Sequence, residues 1–208
     1  VHSHQVIGFV AAVMPLVLIP GTSFVLVSRN VIAGSRRDGA RVALGTVCGL
    51  LVHAAFAAVG LSALAMASAK AMTVVKLLGA VYLVWLGIST WRSAKPEARP
   101  TSRRVWHAPW SGLGGFGQGL WSNVLNPKAA SVYLTLVPQF LSAQDPVAPQ
   151  IAVLAAAHVA VVLTWLLALA SIVATARTTF RTPRFRSLLL ARVSGAVLIA
   201  LGLRTAVA

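Results

Sequence analysis

Six apolar segments dominate the chain, roughly Gln5–Ser28, Val42–Ala67, Thr73–Trp91, Gly112–Leu141, Val147–Thr175 and Leu188–Val207. Each is long enough to cross the hydrocarbon core of a bilayer as a helix, for which about 20 residues suffice. A helix is also the form in which such a segment satisfies its own backbone hydrogen bonds away from water. The pattern predicts an all-α integral membrane protein with six transmembrane helices. The first segment lacks the basic start of a secretory signal and runs on through Pro20 and Gly21, so it reads as a retained first span.

The charges fit that placement. Lys and Arg number 18 against 3 Asp and Glu, a net charge of +15, yet 58% of residues are hydrophobic and only 10% charged. A nucleic-acid binder would be equally basic but far more polar, so the expected partner is the lipid bilayer and not nucleic acid. Sorted by connecting segment, the basic residues alternate. The first connection holds Arg29, Arg36, Arg37 and Arg41, the third holds Arg92, Lys95, Arg99, Arg103 and Arg104, and the fifth holds Arg177, Arg181, Arg184 and Arg186. The second holds Lys70 and Lys76, and the fourth holds none. Basic loops stay cytoplasmic, which predicts that both termini lie outside.

The third connection, about 92–111, carries Pro96, Pro100 and Pro109 and divides a single membrane domain (1–208) into two halves, about 5–91 and 112–207. The halves resemble each other. Lys76-Leu-Leu-Gly79-Ala-Val precedes Leu86-Gly87, as Arg192-Val-Ser-Gly195-Ala-Val precedes Leu201-Gly202. Proline interrupts the first segment at Pro20-Gly21 and the fourth at Asn126-Pro127, and histidines follow at His53 and His158, 33 and 31 residues later. Three spans per half reverse the entry side of the second copy. The expected architecture is therefore two inverted three-helix repeats with broken first and fourth helices, as in secondary transporters.

Lys128 is the sharpest single residue, because an ionisable group within an apolar segment usually faces a cavity or pathway. Pro127 frees a backbone carbonyl in the turn before it, and Lys128 adds a positive charge that would hold a small anionic group such as an α-carboxylate. The competing reading is a surface loop with Lys128 snorkelling to headgroups. In the first break, Pro20 interrupts the helix, Gly21 admits close backbone approach, and Thr22 and Ser23 can cap the restarted helix. Asn123 and Asn126 offer further hydrogen bonds. Asp38, Glu97 and Asp145 all lie in connections, so His53 and His158 are the candidates for proton coupling. The competing reading for each is a neutral histidine bonded between helices.

Gly45–Gly49 and Gly115–Gly119 have the small-xxx-small spacing of close helix packing, within the bundle or across a homodimer interface. Cys48 is the single cysteine, so no disulfide or thiolate metal site forms within the chain, and no cofactor is expected. Tyr82, Trp85, Trp91, Trp106, Trp110, Trp121, Tyr133 and Trp165 are candidates for interfacial belts, although several lie too deep in the apolar segments for that. Enzyme motifs for metalloproteases, Gly-x-Ser-x-Gly hydrolases and P-loop proteins are missing.

Several residues in order carry a family resemblance. They are Pro20-Gly21-Thr22, the series Gly34, Gly39, Gly45 and Gly49, Leu-Leu-Val-His53, and Val59-Gly60-Leu61-Ser62-Ala63-Leu64. Lys76-Leu-Leu-Gly79-Ala-Val-Tyr82-Leu and Leu86-Gly87 follow. In the second half come Gly119-Leu-Trp-Ser-Asn123-Val-Leu-Asn126-Pro127-Lys128-Ala129-Ala130 and Val137-Pro138-Gln139-Phe140. Over essentially its whole length the chain resembles the LysE/RhtB family of amino-acid exporters. It departs from the family at Thr22, where a second proline is usual, and at Leu50, where many members carry an acid. With no counter-charge for a cationic cargo, the resemblance implies efflux of a neutral amino acid or derivative, such as threonine, homoserine or a branched-chain residue.

The expected site therefore comprises Pro20, Gly21, Thr22, Ser23, Asn123, Asn126, Pro127 and Lys128, with His53 and His158 for proton coupling. Three alternatives stay open. One is export of another small solute or metal cation, another a membrane enzyme using for instance Ser131 with His158, and the third a non-transporting scaffold.

Overall fold

The structure, a computed structural model, describes residues 3–92 and 112–175. Among these residues, seven α-helices follow one another: α1 (Ser3–Leu18), α2 (Thr22–Ala33), α3 (Arg36–Ala67), α4 (Ala69–Arg92), α5 (Gly115–Val124), α6 (Pro127–Ser131) and α7 (Val147–Thr175). Between α6 and α7 lie a π-helical turn (Val132–Leu136) and a 3-10 turn (Val137–Phe140). The sixth predicted segment, Leu188–Val207, the basic connection at 177–186 and nearly all of the 92–111 connection lie outside the described residues.

Both predicted breaks are present. α1 stops at Leu18 and α2 starts at Thr22, with the two axes bent by 56°. α5 stops at Val124 and α6 starts at Pro127, the first-turn position where a missing N–H costs least. Among the described residues, α3 and α7 are each long and apolar enough to cross a membrane, and α1 with α2 forms a third such unit if the bent pair is one span. At 1.5 Å per residue the 32 residues of α3 run about 48 Å, well beyond a core of about 30 Å.

Three local expectations are corrected. Thr22 and Ser23 do not cap α2. Gly21 is the capping residue, extended at φ −123°, and no side-chain bond closes the end, because a cap must come from the residue ahead of the first turn. The basic stretch 29–41 is mostly helical, since α2 continues to Ala33 and only Gly34-Ser35 separates it from α3. Asp38 tightens that turn, accepting from the Ser35 backbone N–H at 3.0 Å and the Ser35 hydroxyl at 2.7 Å. Lys70 and Lys76, placed in a loop by the sequence reading, sit on α4, which only Ser68 separates from α3. The Lys76 ammonium donates to the Leu141 carbonyl at 3.3 Å.

Helix α3 is the central element, packed against α2, α4, α5 and α7. Its closest partner is α5, and glycine makes that approach feasible. A Cβ at Gly45 would overlap the Phe116 carbonyl, and one at Gly119 would overlap the Val42 carbonyl. Gly49 faces Asn123, and Gly115 faces the backbone of Asp38. Both glycine-rich faces are thus occupied by each other within one chain, the first of the two uses the sequence left open.

Candidate site where two broken helices meet

In an uninterrupted helix the Leu16 carbonyl would accept from the N–H of residue 20, and Pro20 has none. Lys128 supplies the missing donor: its Nζ donates to the Leu16 carbonyl at 2.7 Å. The second break repeats the arrangement with the halves exchanged. Pro127 cannot donate to the Asn123 carbonyl, which instead accepts from His53 Nε2 at 3.1 Å and from the Asn126 N–H at 2.9 Å. Since a carbonyl only accepts, Nε2 of His53 carries the hydrogen. Each proline's orphaned carbonyl is therefore satisfied by a basic side chain from the other half of the chain.

Asn126 ties the two breaks directly. Its Oδ1 accepts from the Lys128 backbone N–H at 3.0 Å, capping α6, and its Nδ2 donates to Thr22 Oγ1 at 3.4 Å. Beside these groups lies a cavity of about 90 Å³, lined by Gly21, Thr22 and Ser23 from the first break and by Asn123, Asn126 and Lys128 from the second. His158 completes its polar lining from α7, and Val13, Leu50, Val132, Val162 and Trp165 are among its apolar walls. Of the predicted site residues, seven line the cavity, while Pro20, Pro127 and His53 do not. The Lys128 ammonium is turned onto the protein backbone. An ammonium has three donors, and one is engaged by Leu16. Among the described residues, no acidic side chain lines the cavity.

The histidines are connected through a residue the sequence reading grouped with interfacial aromatics. Tyr133 is 1% exposed, stacks on His53 with ring centroids 6.3 Å apart, and leans on His158 at 5.7 Å. Among the described residues, its hydroxyl, the Asn123 Oδ1 and the His158 Nδ1 are all buried without a hydrogen-bond partner. Thr46, Leu50 and Trp165 were also missed as lining residues. Helical spacing could have found them, because Thr46, Leu50 and His53 share one face of α3, as His158, Val162 and Trp165 share one face of α7.

Comparison with known proteins gives a family and several relatives. The family model of the LysE type translocators matches residues 14–208. An uncharacterized membrane protein of Bacillus subtilis (strain 168), YrhP, is 27% identical over 97% of this chain and 98% of its own length. A homoserine/homoserine lactone efflux protein of Salmonella typhi is 32% identical over 63% of this chain and 62% of its own. A threonine efflux protein of Escherichia coli (strain K12) is 34% identical over 53% of each chain. No solved structure matches the chain significantly.

Proposed function

The chain belongs to the LysE type translocator family, and we propose that it exports a neutral amino acid or derivative, of the threonine, homoserine or branched-chain type, across the bacterial cytoplasmic membrane. Members of this family are translocators and not enzymes, which sets aside a hydrolase built on Ser131 and His158. The Ser131 hydroxyl is in any case engaged, donating to the Lys128 carbonyl at 2.8 Å.

One observation carries the reading: both helix breaks open on the same small cavity, and the Lys128 ammonium stands there with no acidic partner among the described residues. A substrate carboxylate would accept from Lys128, with a charge-assisted bond roughly twice as strong as a neutral one. Asn123, Asn126, Thr22 and Ser23 would bond its remaining polar groups. The volume is far below the roughly 300 Å³ where drug-sized pockets begin, which suits a small zwitterion. The acid-free lining suits a cargo with an uncharged side chain.

In the proposed cycle, two inverted three-helix repeats (about 5–91 and 112–207) rock around this cavity by alternating access, with both termini outside. Inward movement of protons through His53 or His158 drives export. His53 holds the second break and His158 lines the cavity, so a proton taken up by either alters a group at the substrate. The test is uptake into inverted membrane vesicles under an imposed pH gradient. Labelled threonine or homoserine should accumulate in vesicles carrying the protein. Failure to accumulate any neutral amino acid would sink the proposal.

The anchoring of Lys128 gives a second prediction. Pro20→Ala restores an N–H that can pair with the Leu16 carbonyl, removing the acceptor that holds Lys128 in place. The half-saturation concentration for export should rise roughly tenfold, the equivalent of about 1.4 kcal/mol, with the amount of protein in the membrane unchanged. A half-saturation equal to wild type would show that Leu16 does not position the lysine.

A further inference from the structure

A second cavity, of about 570 Å³, lies where the C-terminal end of α3, the first turns of α4 and the segment leading into α7 come together. Its polar lining is Ser62, Thr73, Lys76, Ser142 and Asp145, and the rest of the wall is apolar. It stands well apart from the cavity at the helix breaks. Ser62 is twelve residues beyond Leu50 on α3, about 18 Å along the axis, and Ala148 is ten residues ahead of His158 on α7, about 15 Å. Ala57, Leu61, Ile151 and Leu154, all buried, fill the stretch between. Because α3 begins in the basic stretch 29–41, its far end is the outer one in the orientation proposed above.

Two glutamines hold the wall of this cavity in place. Gln139 Nε2 donates to the Lys76 carbonyl at 3.0 Å and to the Thr135 carbonyl at 3.0 Å, which pins α4 where the lysine leaves it. Gln150, 1% exposed, fixes the facing segment. Its Oε1 accepts from the Ser142 N–H at 2.8 Å, and its Nε2 donates to the Ser142 and Asp145 carbonyls at 3.0 and 2.9 Å. The half-buried Lys76 rests its ammonium on the Leu141 carbonyl at 3.3 Å, longer than an ordinary N–H···O bond. An ammonium has three donors, and Leu141 engages one of them loosely.

We infer that this outer cavity is a second cargo site, which takes the carboxylate of the amino acid on Lys76 as it leaves. This rests on the export reading above and adds a point of release to it. A carboxylate accepts a charge-assisted bond about twice as strong as one between neutral groups, so it would compete well for the ammonium now on Leu141. Asp145 in the same lining opposes a purely anionic occupant such as a phosphate and suits a zwitterion, whose ammonium it attracts. The cavity is larger than a small amino acid, so cargo would share it with water and be held weakly, as release requires.

The experiment labels a cysteine in the cavity wall. Ala143→Cys is combined with Cys48→Ser, which removes the single native cysteine, and a membrane-impermeant maleimide is applied to right-side-out vesicles carrying the full chain. External threonine or homoserine should slow labelling by about tenfold at roughly ten times the half-protecting concentration. Threoninol, which lacks the carboxylate, should give no protection. Lys76→Gln should raise the half-protecting concentration by about tenfold or more, whereas Lys128→Met, at the other cavity, should leave it within about twofold. Equal protection by threoninol, or unchanged protection in Lys76→Gln, overturns the assignment. So does protection by glycerophosphoethanolamine in place of threonine, which would make this a lipid-headgroup site, and so does loss of protection in Lys128→Met, which would trace the effect to the central cavity. The comparison of threonine with threoninol stands even where a variant fails to fold. Labelling confined to inverted vesicles overturns the orientation and this assignment with it. Absence of protection while export proceeds overturns this site alone, and protection without export of any amino acid keeps the site and overturns the export reading.

Discussion

Replacing Lys128 with methionine should cut export by about tenfold to a hundredfold, while the protein still reaches the membrane at normal levels. The range follows from the roughly 1.5–3 kcal/mol carried by a hydrogen bond to a charged group, at 1.4 kcal/mol per factor of ten. Methionine keeps much of the buried stem and removes the ammonium that faces the cavity. Two consequences separate. The proposed carboxylate bond is lost, which weakens substrate binding. The Leu16 carbonyl, already without a partner in its own helix because of Pro20, is orphaned again, which costs about 1–3 kcal/mol of stability. Lys128→Arg tells them apart, since it restores a cation able to reach a carbonyl but with a broader, planar head. Efflux from preloaded cells, normalised to the protein in the membrane fraction, is the measurement. Wild-type efflux by Lys128→Met would remove the carboxylate site, whereas loss of membrane protein in Lys128→Met with normal protein and normal efflux in Lys128→Arg would make the lysine a structural cap.

The breaks were legible in the sequence because proline acts locally: it removes its own donor wherever it stands. Their meeting was not, because nothing in Pro20-Gly21 or Asn126-Pro127 specifies that Lys128 will cap Leu16, 112 residues away. The same applies to His53 and the Asn123 carbonyl, 70 residues apart. Composition identified the apolar spans but misjudged connections, since Lys70, Lys76 and Arg29 read as loop residues and are helical. Charge at a helix end is compatible with continued helix when side chains can reach solvent or a carbonyl, as Lys76 does at Leu141. Tyr133 was misread for a related reason. An aromatic with a hydroxyl suits a membrane interface, and only tertiary packing reveals that this one is enclosed between two histidines.

Replacing Gly45 with valine should eliminate most of the folded protein. The first atom of any side chain there would coincide with the Phe116 carbonyl, with the Leu120 nitrogen 2.8 Å and the Phe116 carbonyl carbon 2.9 Å away. These are backbone atoms of α5, so relief requires the whole helix to retreat from α3. Overpacking a buried site typically costs about 1–3 kcal/mol, and more where nothing flexible can move, against a total stability of about 5–15 kcal/mol. Gly60 is the control, since a Cβ there meets nothing within 4 Å, and Gly60→Val should leave the yield of folded protein unchanged. The measurement is the monodisperse fraction after detergent extraction, with its melting temperature. Gly45→Ala should fall between the wild type and Gly45→Val. It should also reduce export beyond its loss of stability, because the α3–α5 crossing that begins at Gly45 sets Asn123 against Gly49 and His53. Any withdrawal of α5 lengthens the His53 bond, releases the Asn123 carbonyl that Pro127 has orphaned, and moves the second break away from Thr22. Gly45→Val protein as abundant and as heat-stable as wild type would mean that the two helices do not cross at these glycines.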